Sequence, residues 1–268
     1  MTADLLSLGP DVDPAAPVAR ANPVAKLAAA LAVSLALLLT VDLVTPAVAL
    51  VLEIAVLPWC GVRPAGLGRR GLIVLIGAVP AALGTAVFGI DAGATVAGLG
   101  PVTITEGSAA AGLAIGLRVL AVGLPGVVLL ATTDPSDLAG ALSQVLRVPA
   151  RFSLAALAAL RLAGLLAQEW ESLSLARRAR GLDDRGPAGV VRSVGARLGA
   201  LLVLAVRRAT TLAVVMEARG FGISRHRTWA RPSRFGLRDA LVLAGGIGIA
   251  AGATAVAVAA GTWRLVLS

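Results

Sequence analysis

Residues 240–263 read ALVLAGGIGIAAGATAVAVAAGTW, twenty-four in a row without a charge. At 1.5 Å per residue this stretch makes a helix of about 36 Å, longer than the ~30 Å hydrocarbon core of a bilayer. Its alanines and glycines suit helices that pack closely inside a membrane. The same signature recurs towards the N-terminus. Residues 71–90 are uncharged, 109–133 carry only Arg118, 27–41 lie charge-free between Lys26 and Asp42, and a stretch from Pro46 to about Trp59 is interrupted only by Glu53. Five spans are predicted, in an all-α polytopic membrane protein.

Composition agrees. Of 268 residues, 57% are hydrophobic and 15% charged, tyrosine is absent, and the mean hydropathy is +0.88, outside the soluble range. A single cysteine, Cys60, and a single histidine, His226, exclude an internal disulfide and a His/Cys metal site. The only lysine, Lys26, follows no glycine-rich loop, so the chain has no phosphate-binding Walker motif. No cofactor site is expected, and any ATP is bound by partner subunits. Residues 1–22 begin with acids and carry Gly9, Pro10, Pro14 and Pro17, which reads as a flexible tail rather than a signal peptide.

Charge orients the spans. Lys and Arg collect in cytoplasmic loops, and here they fall before the first span (Arg20, Lys26), between the second and third (Arg63, Arg69, Arg70) and throughout residues 132–238. That block holds 17 of the 24 basic residues against seven acids, a net +10. The N-terminus is therefore expected in the cytoplasm and the C-terminus outside. The expected organisation is a tail at 1–22, four spans in 23–131, a cytoplasmic region at 132–238, and a last span with a short tail at 239–268.

Within the block, Thr132-Thr133-Asp134-Pro135-Ser136-Asp137 closes the fourth span and offers helix caps. A short amphipathic helix over 138–148, stopped at Pro149, precedes a long helix over 151–180 with a wide leucine face. A second long helix starts near Ala188 and runs to Gly220. Each long helix ends alike, in Ala179-Arg180-Gly181 and Ala218-Arg219-Gly220. The glycine suits the left-handed residue that stops a helix, and the arginine complements the negative end of the helix dipole. Such a tip has two readings, a solvated helix end or a cationic plug for an acidic groove on a partner, where a guanidinium fork matches carboxylates.

Ala176-Arg177-Arg178-Ala179-Arg180-Gly181 and Met216-Glu217-Ala218-Arg219-Gly220-Phe221-Gly222, with Thr132-Thr133-Asp134-Pro135-Ser136-Asp137-Leu138 and Asn22-Pro23-x-x-Lys26, resemble the transmembrane coupling (T) component of energy-coupling factor transporters, the EcfT/CbiQ family. The resemblance covers nearly the whole chain and is most specific over 132–222. It implies about five transmembrane helices plus a cytoplasmic coupling region of two long helices and one short one. It also implies a prokaryotic cell membrane as location, two ABC-type ATPases and a small substrate-capture membrane subunit as partners, and uptake of a vitamin or a metal ion such as cobalt or nickel. Ala179, Arg180, Gly181, Ala218, Arg219 and Gly220 would dock on the ATPases.

Other readings are weaker. A nucleic-acid binder would share the pI near 11.6, but the basic block lacks an aromatic stacking platform. Anionic lipid is a better second recipient for Arg147, Arg225, Arg227, Arg231 and Arg234. An intramembrane enzyme would need paired acids, a histidine motif or an activated serine in adjacent spans. A conventional ABC permease also docks on ATPases, though usually through one short coupling loop, and is the runner-up. Glu53 and Arg118, ionisable groups inside spans, read as interface residues before functional ones. Trp59, Trp229 and Trp263 read as membrane-interface anchors.

Overall fold

The computed structural model describes residues 13–62, 64–89, 93–99, 102–181, 186–221, 229 and 232–264. Eight helices appear among them: α1 (Pro23–Leu38), α2 (Val44–Cys60), α3 (Pro64–Phe88), α4 (Glu106–Thr132), α5 (Pro135–Gln144), α6 (Ala150–Ala179), α7 (Gly186–Ala218) and α8 (Leu237–Ala259). Between α3 and α4, β1 (Thr95–Leu99) and β2 (Val102–Thr105) pair antiparallel as a small hairpin. The chain is an all-α polytopic membrane protein, with this hairpin as the one addition among the described residues.

Local chemistry sets the helix ends. Asn22 accepts from the Val24 amide at 3.0 Å, with Pro23 in the first turn of α1. Ahead of α2, Asp42 Oδ2 accepts from the Thr45 amide at 2.8 Å and from its hydroxyl at 2.7 Å. Thr105 and Ser108 cap α4 reciprocally. Asp134 accepts from the Ser136 amide at 2.6 Å as α5 begins, and α5 ends at Gln144, short of the expected stop at Pro149. α3 reaches back to Pro64 through what reads in sequence as a basic loop.

The described chain divides into two compact units, one up to Ala141 joined by Ser233 onward, the other from Leu142 to Pro232. In the first, α1 packs along α8, α3 along α4, and α2 against both α4 and α8. Val33, Leu37, Ala49, Ala121 and Ala253 form its core. Small residues allow the close approach: a Cβ on Gly112 would lie 2.6 Å from the Ala82 carbonyl oxygen, and one on Gly246 would lie 2.6 Å from Ala29 Cβ. The described part of the expected tail is held rather than loose. The Asp13 amide donates to the Gly61 carbonyl at 2.8 Å and the Val18 amide to that of Trp59 at 3.4 Å, while Ala16 and Ala21 are buried. In the second unit, α6 and α7 pack against each other as an antiparallel pair.

Five described helices are long and apolar enough to cross a membrane: α3, α4, α6, α7 and α8. The count equals the one expected from sequence but the members differ, because α1 and α2 are shorter, at 16 and 17 residues. As helices these span about 24–26 Å, somewhat under a ~30 Å core. Both nevertheless contribute to the core of the first unit. α6 and α7, read from sequence as cytoplasmic, are also long and apolar enough because their charged residues are spaced along alanine-, leucine- and valine-rich stretches.

Candidate docking site at two helix tips

The two long helices of the second unit stop as glycine punctuation requires. At the end of α6, Arg180 caps the helix, its amide bonded to the Ala176 and Arg177 carbonyls at 3.3 and 3.1 Å. Gly181 follows at φ +69°, donating to Arg178 O at 3.0 Å. At the end of α7, Gly220 sits at φ +75° and donates to Glu217 O at 2.9 Å, while the Phe221 amide reaches back to Met216 O at 3.0 Å. These bonds satisfy carbonyls that a helix end otherwise leaves open. The arginines stand one position past the last helical residue, not on it.

Ala179, Arg180, Gly181, Ala218 and Arg219 are exposed and Gly220 is half-buried. Neither the Arg180 nor the Arg219 guanidinium has a hydrogen-bond or ion-pair partner among the described residues. Leu182 and Gly222, which flank the glycine stops, lie outside the described residues, as do Arg225, His226, Arg227 and Arg231.

What joins the two helices is a polar seam that sequence reading did not single out. Arg208 Nη2 pairs with Glu169 Oε1 at 2.5 Å. Arg197 places its guanidinium 4.5 Å from the Trp170 ring centroid and donates to Ser174 Oγ at 2.9 Å. Arg197 and Arg208 are eleven residues apart, about three turns, so they share one face of α7. That spacing is the signal sequence reading could have used. On α6 the partners run Glu169, Trp170, Ser174 as those on α7 run backwards, so the helices are antiparallel. Arg180 lies six residues, about 9 Å, beyond the seam on one side, and Arg219 eleven residues, about 16 Å, beyond it on the other. The seam thus leaves the two tips at opposite ends of the helix pair, so any docking there would be at two places and not one.

Residues 15–229 match the model of the CbiQ family, described as cobalt transport protein. The chain belongs to the EcfT/CbiQ family. It is 30% identical over 151 residues to the "Energy-coupling factor transporter transmembrane protein EcfT" of Staphylococcus aureus, an alignment spanning 53% of this chain and 56% of that one. It is 36% identical over 117 residues to the protein of the same description from Exiguobacterium sibiricum, covering 40% of this chain and 44% of that one. The chain thus spans about half the length of these EcfT relatives. Both are membrane proteins of a transporter by their descriptions, which sets the conventional permease reading behind the EcfT one.

In this EcfT/CbiQ chain the remaining motif residues form a clasp in the first unit. The Asn22 amide donates to Asp239 Oδ1 at 2.6 Å, and Asn22 Nδ2 to Ser233 Oγ at 2.8 Å and Arg234 O at 3.2 Å. Lys26, buried, spends its three protons on Ala19 O and Thr132 O, each at 2.9 Å, and on Thr132 Oγ1 at 3.3 Å. The Asn22-Pro23-x-x-Lys26 start therefore ties α1 to the beginning of α8 and the end of α4. Arg118 is structural too: its Nη2 donates to the Thr40 carbonyl just past α1. Among the described residues no cluster of His, Cys, Asp or Glu could hold a metal ion.

Proposed function

We propose that this chain is the T component of an energy-coupling factor importer, transmitting ATP-driven motion from two cytoplasmic ATPases to a small substrate-capture membrane subunit. One observation carries the reading: two long helices with exposed apolar faces each end in an exposed arginine that has no partner among the described residues, set beside a left-handed glycine stop. An exposed arginine fixed at a helix end suits an acidic groove. Leu198, Leu202, Val203, Val206 and Val214 along α7 offer the apolar contact that a membrane partner could use. In this reading α6 and α7 belong to the cytoplasmic region at 132–238 despite their apolar composition, because the excess of arginine over that region favours the cytoplasmic side. α1 to α4 and α8 span the membrane, with the N-terminus inside and the C-terminus outside. Arg147 and Arg234, both exposed, would meet anionic lipid. The cargo is a vitamin or a metal ion, chosen by the capture subunit, and the chain itself hydrolyses nothing.

The test is co-purification from detergent with ABC ATPases encoded in the same genome. The wild type should capture an ATPase pair, Arg180→Glu and Arg219→Glu should each weaken capture, and the double variant should abolish it while eluting as a folded protein. Equal capture by wild type and double variant, or none by either, removes the docking assignment. Capture of ATPases with direct transport and no separate capture subunit would favour a conventional permease.

A further inference from the structure

Within the first unit a furrow walled by α1, α2, α4 and α8 encloses about 450 Å³. That volume lies within the ~300–1,000 Å³ of small-ligand sites, and a helix about 10 Å across would not fit it. Ala30, Val33, Val56, Leu124, Val128 and Ile249 make its surface aliphatic.

One group breaks the pattern. Glu53 lines the furrow from the middle of α2, nine residues after Val44 and seven before Cys60. It is 7% exposed, and neither carboxyl oxygen has a hydrogen-bond partner. The other buried acids are better served: Asp239 accepts from the Asn22 and Gly236 amides, and Asp42 from Thr45. Buried polar groups in folded proteins are nearly all paired, and an ionisable group inside a span marks function by default.

Among the described residues nothing supplies the missing partner. Lys26, which shares the furrow, has its three protons committed elsewhere, and Arg238 at the furrow is exposed. A carboxyl group accepts hydrogen bonds whether ionised or protonated, so its complement is a donor. The aliphatic walls specify the rest of the occupant.

We propose that the furrow binds a lipophilic molecule with a single hydroxyl or amine, its donor on Glu53 and its hydrocarbon along the walls from α1, α4 and α8. Such a molecule reaches the site from the bilayer and completes a carboxyl whose two oxygens are both buried without a partner among the described residues. The site is independent of the helix tips.

Trp59 lines the furrow and reports on it. The full chain, with Trp170, Trp229 and Trp263 replaced by Phe, is placed in lipid nanodiscs and titrated with 11-bromoundecan-1-ol, 11-bromoundecan-1-amine and 1-bromoundecane, whose bromine quenches tryptophan. At least one donor probe should quench saturably at a concentration about tenfold or more below that of the bromoalkane, as one buried hydrogen bond implies. Preference for the amine over the alcohol, reduced in Glu53→Gln, identifies an ammonium ligand; equal preference identifies a hydroxyl-type donor bond. Glu53→Leu should erase the donor advantage. Gly245→Leu, which adds bulk where a Cβ meets nothing within 4 Å, should weaken both donor probes without touching Glu53. Equal quenching by all three probes in the parent protein overturns the proposal, as does a donor advantage surviving Glu53→Leu. If Glu53→Leu does not fold, an undiminished donor advantage in Gly245→Leu overturns it.

Discussion

α7 and α8 are built from the same residues and end in the same way, yet they live in opposite circumstances. Both are rich in alanine, valine, leucine and glycine, and both stop on a left-handed glycine, Gly220 at φ +75° and Gly261 at φ +68°. Each stop makes the same two backbone bonds, Gly220 to Glu217 and Phe221 to Met216, Gly261 to Val258 and Thr262 to Ala257. α8 buries Gly246, Ala253 and Ala257 in the bundle, whereas in α7 only Ser193 is buried among the described residues. The glycine stop is therefore a general device for ending helices here. The arginine added at Arg180 and Arg219, on helices whose apolar faces are left uncovered, is the special feature.

This contrast can be broken most forcefully by adding bulk to each helix. Gly246→Leu would drive a side chain into Ala29, whose Cα would lie 2.7 Å from the new Cβ. It should lower stability in detergent by about 1–3 kcal/mol or more. Gly199→Leu on α7 meets nothing within 4 Å and should raise stability slightly, by up to about 1 kcal/mol, since glycine is a poor helix former. Similar losses from both would show α7 to be packed after all. Unfolding midpoints of the two variants beside wild type decide it.

Next in size is the clasp. Lys26→Met keeps the length of the side chain but strands the Ala19 and Thr132 carbonyls, and should cost about 1.5–3 kcal/mol by the same assay. An unchanged midpoint would mean that water serves those carbonyls equally well. The α6–α7 seam should be weaker. Glu169 and Arg208 are 35% and 34% exposed, and a double-mutant cycle with Glu169→Gln and Arg208→Met should yield only about 0.2–1 kcal/mol of coupling. A larger value would make the hairpin a rigid rod in its own right. The smallest effect belongs to the tips: Arg180→Ala and Arg219→Ala should move stability by no more than about 0.5 kcal/mol. A substantial loss would give these arginines an internal role and leave them unavailable to a partner.

The sequence carried the helices and both tips well, because charge-free runs, caps and left-handed glycines are local signals. It placed α4, α6, α7 and α8 to within a few residues and anticipated Gly181 as a helix stop. It did not carry the clasp, although Asn22 and Lys26 stood out as a motif. Their partners Asp239 and Thr132 are 217 and 106 residues away, and no local pattern announces such a bond. The Trp170–Arg197 contact was hidden for the same reason, and Trp170 drew no attention among the tryptophans near span ends. Hydropathy alone also could not separate helices that cross a membrane from helices that hold a partner, since both need long apolar faces.

By itself, then, the sequence determined an all-helical membrane chain, its charge asymmetry and the two arginine-bearing stops, because each follows from side-chain chemistry within a few turns. Only the tertiary structure decided that α8 is packed and α7 bare, that Lys26 is a strut, and that Glu53 faces a furrow without a partner. Those outcomes depend on which distant surfaces meet, and close packing between helices is settled by shape across the whole bundle.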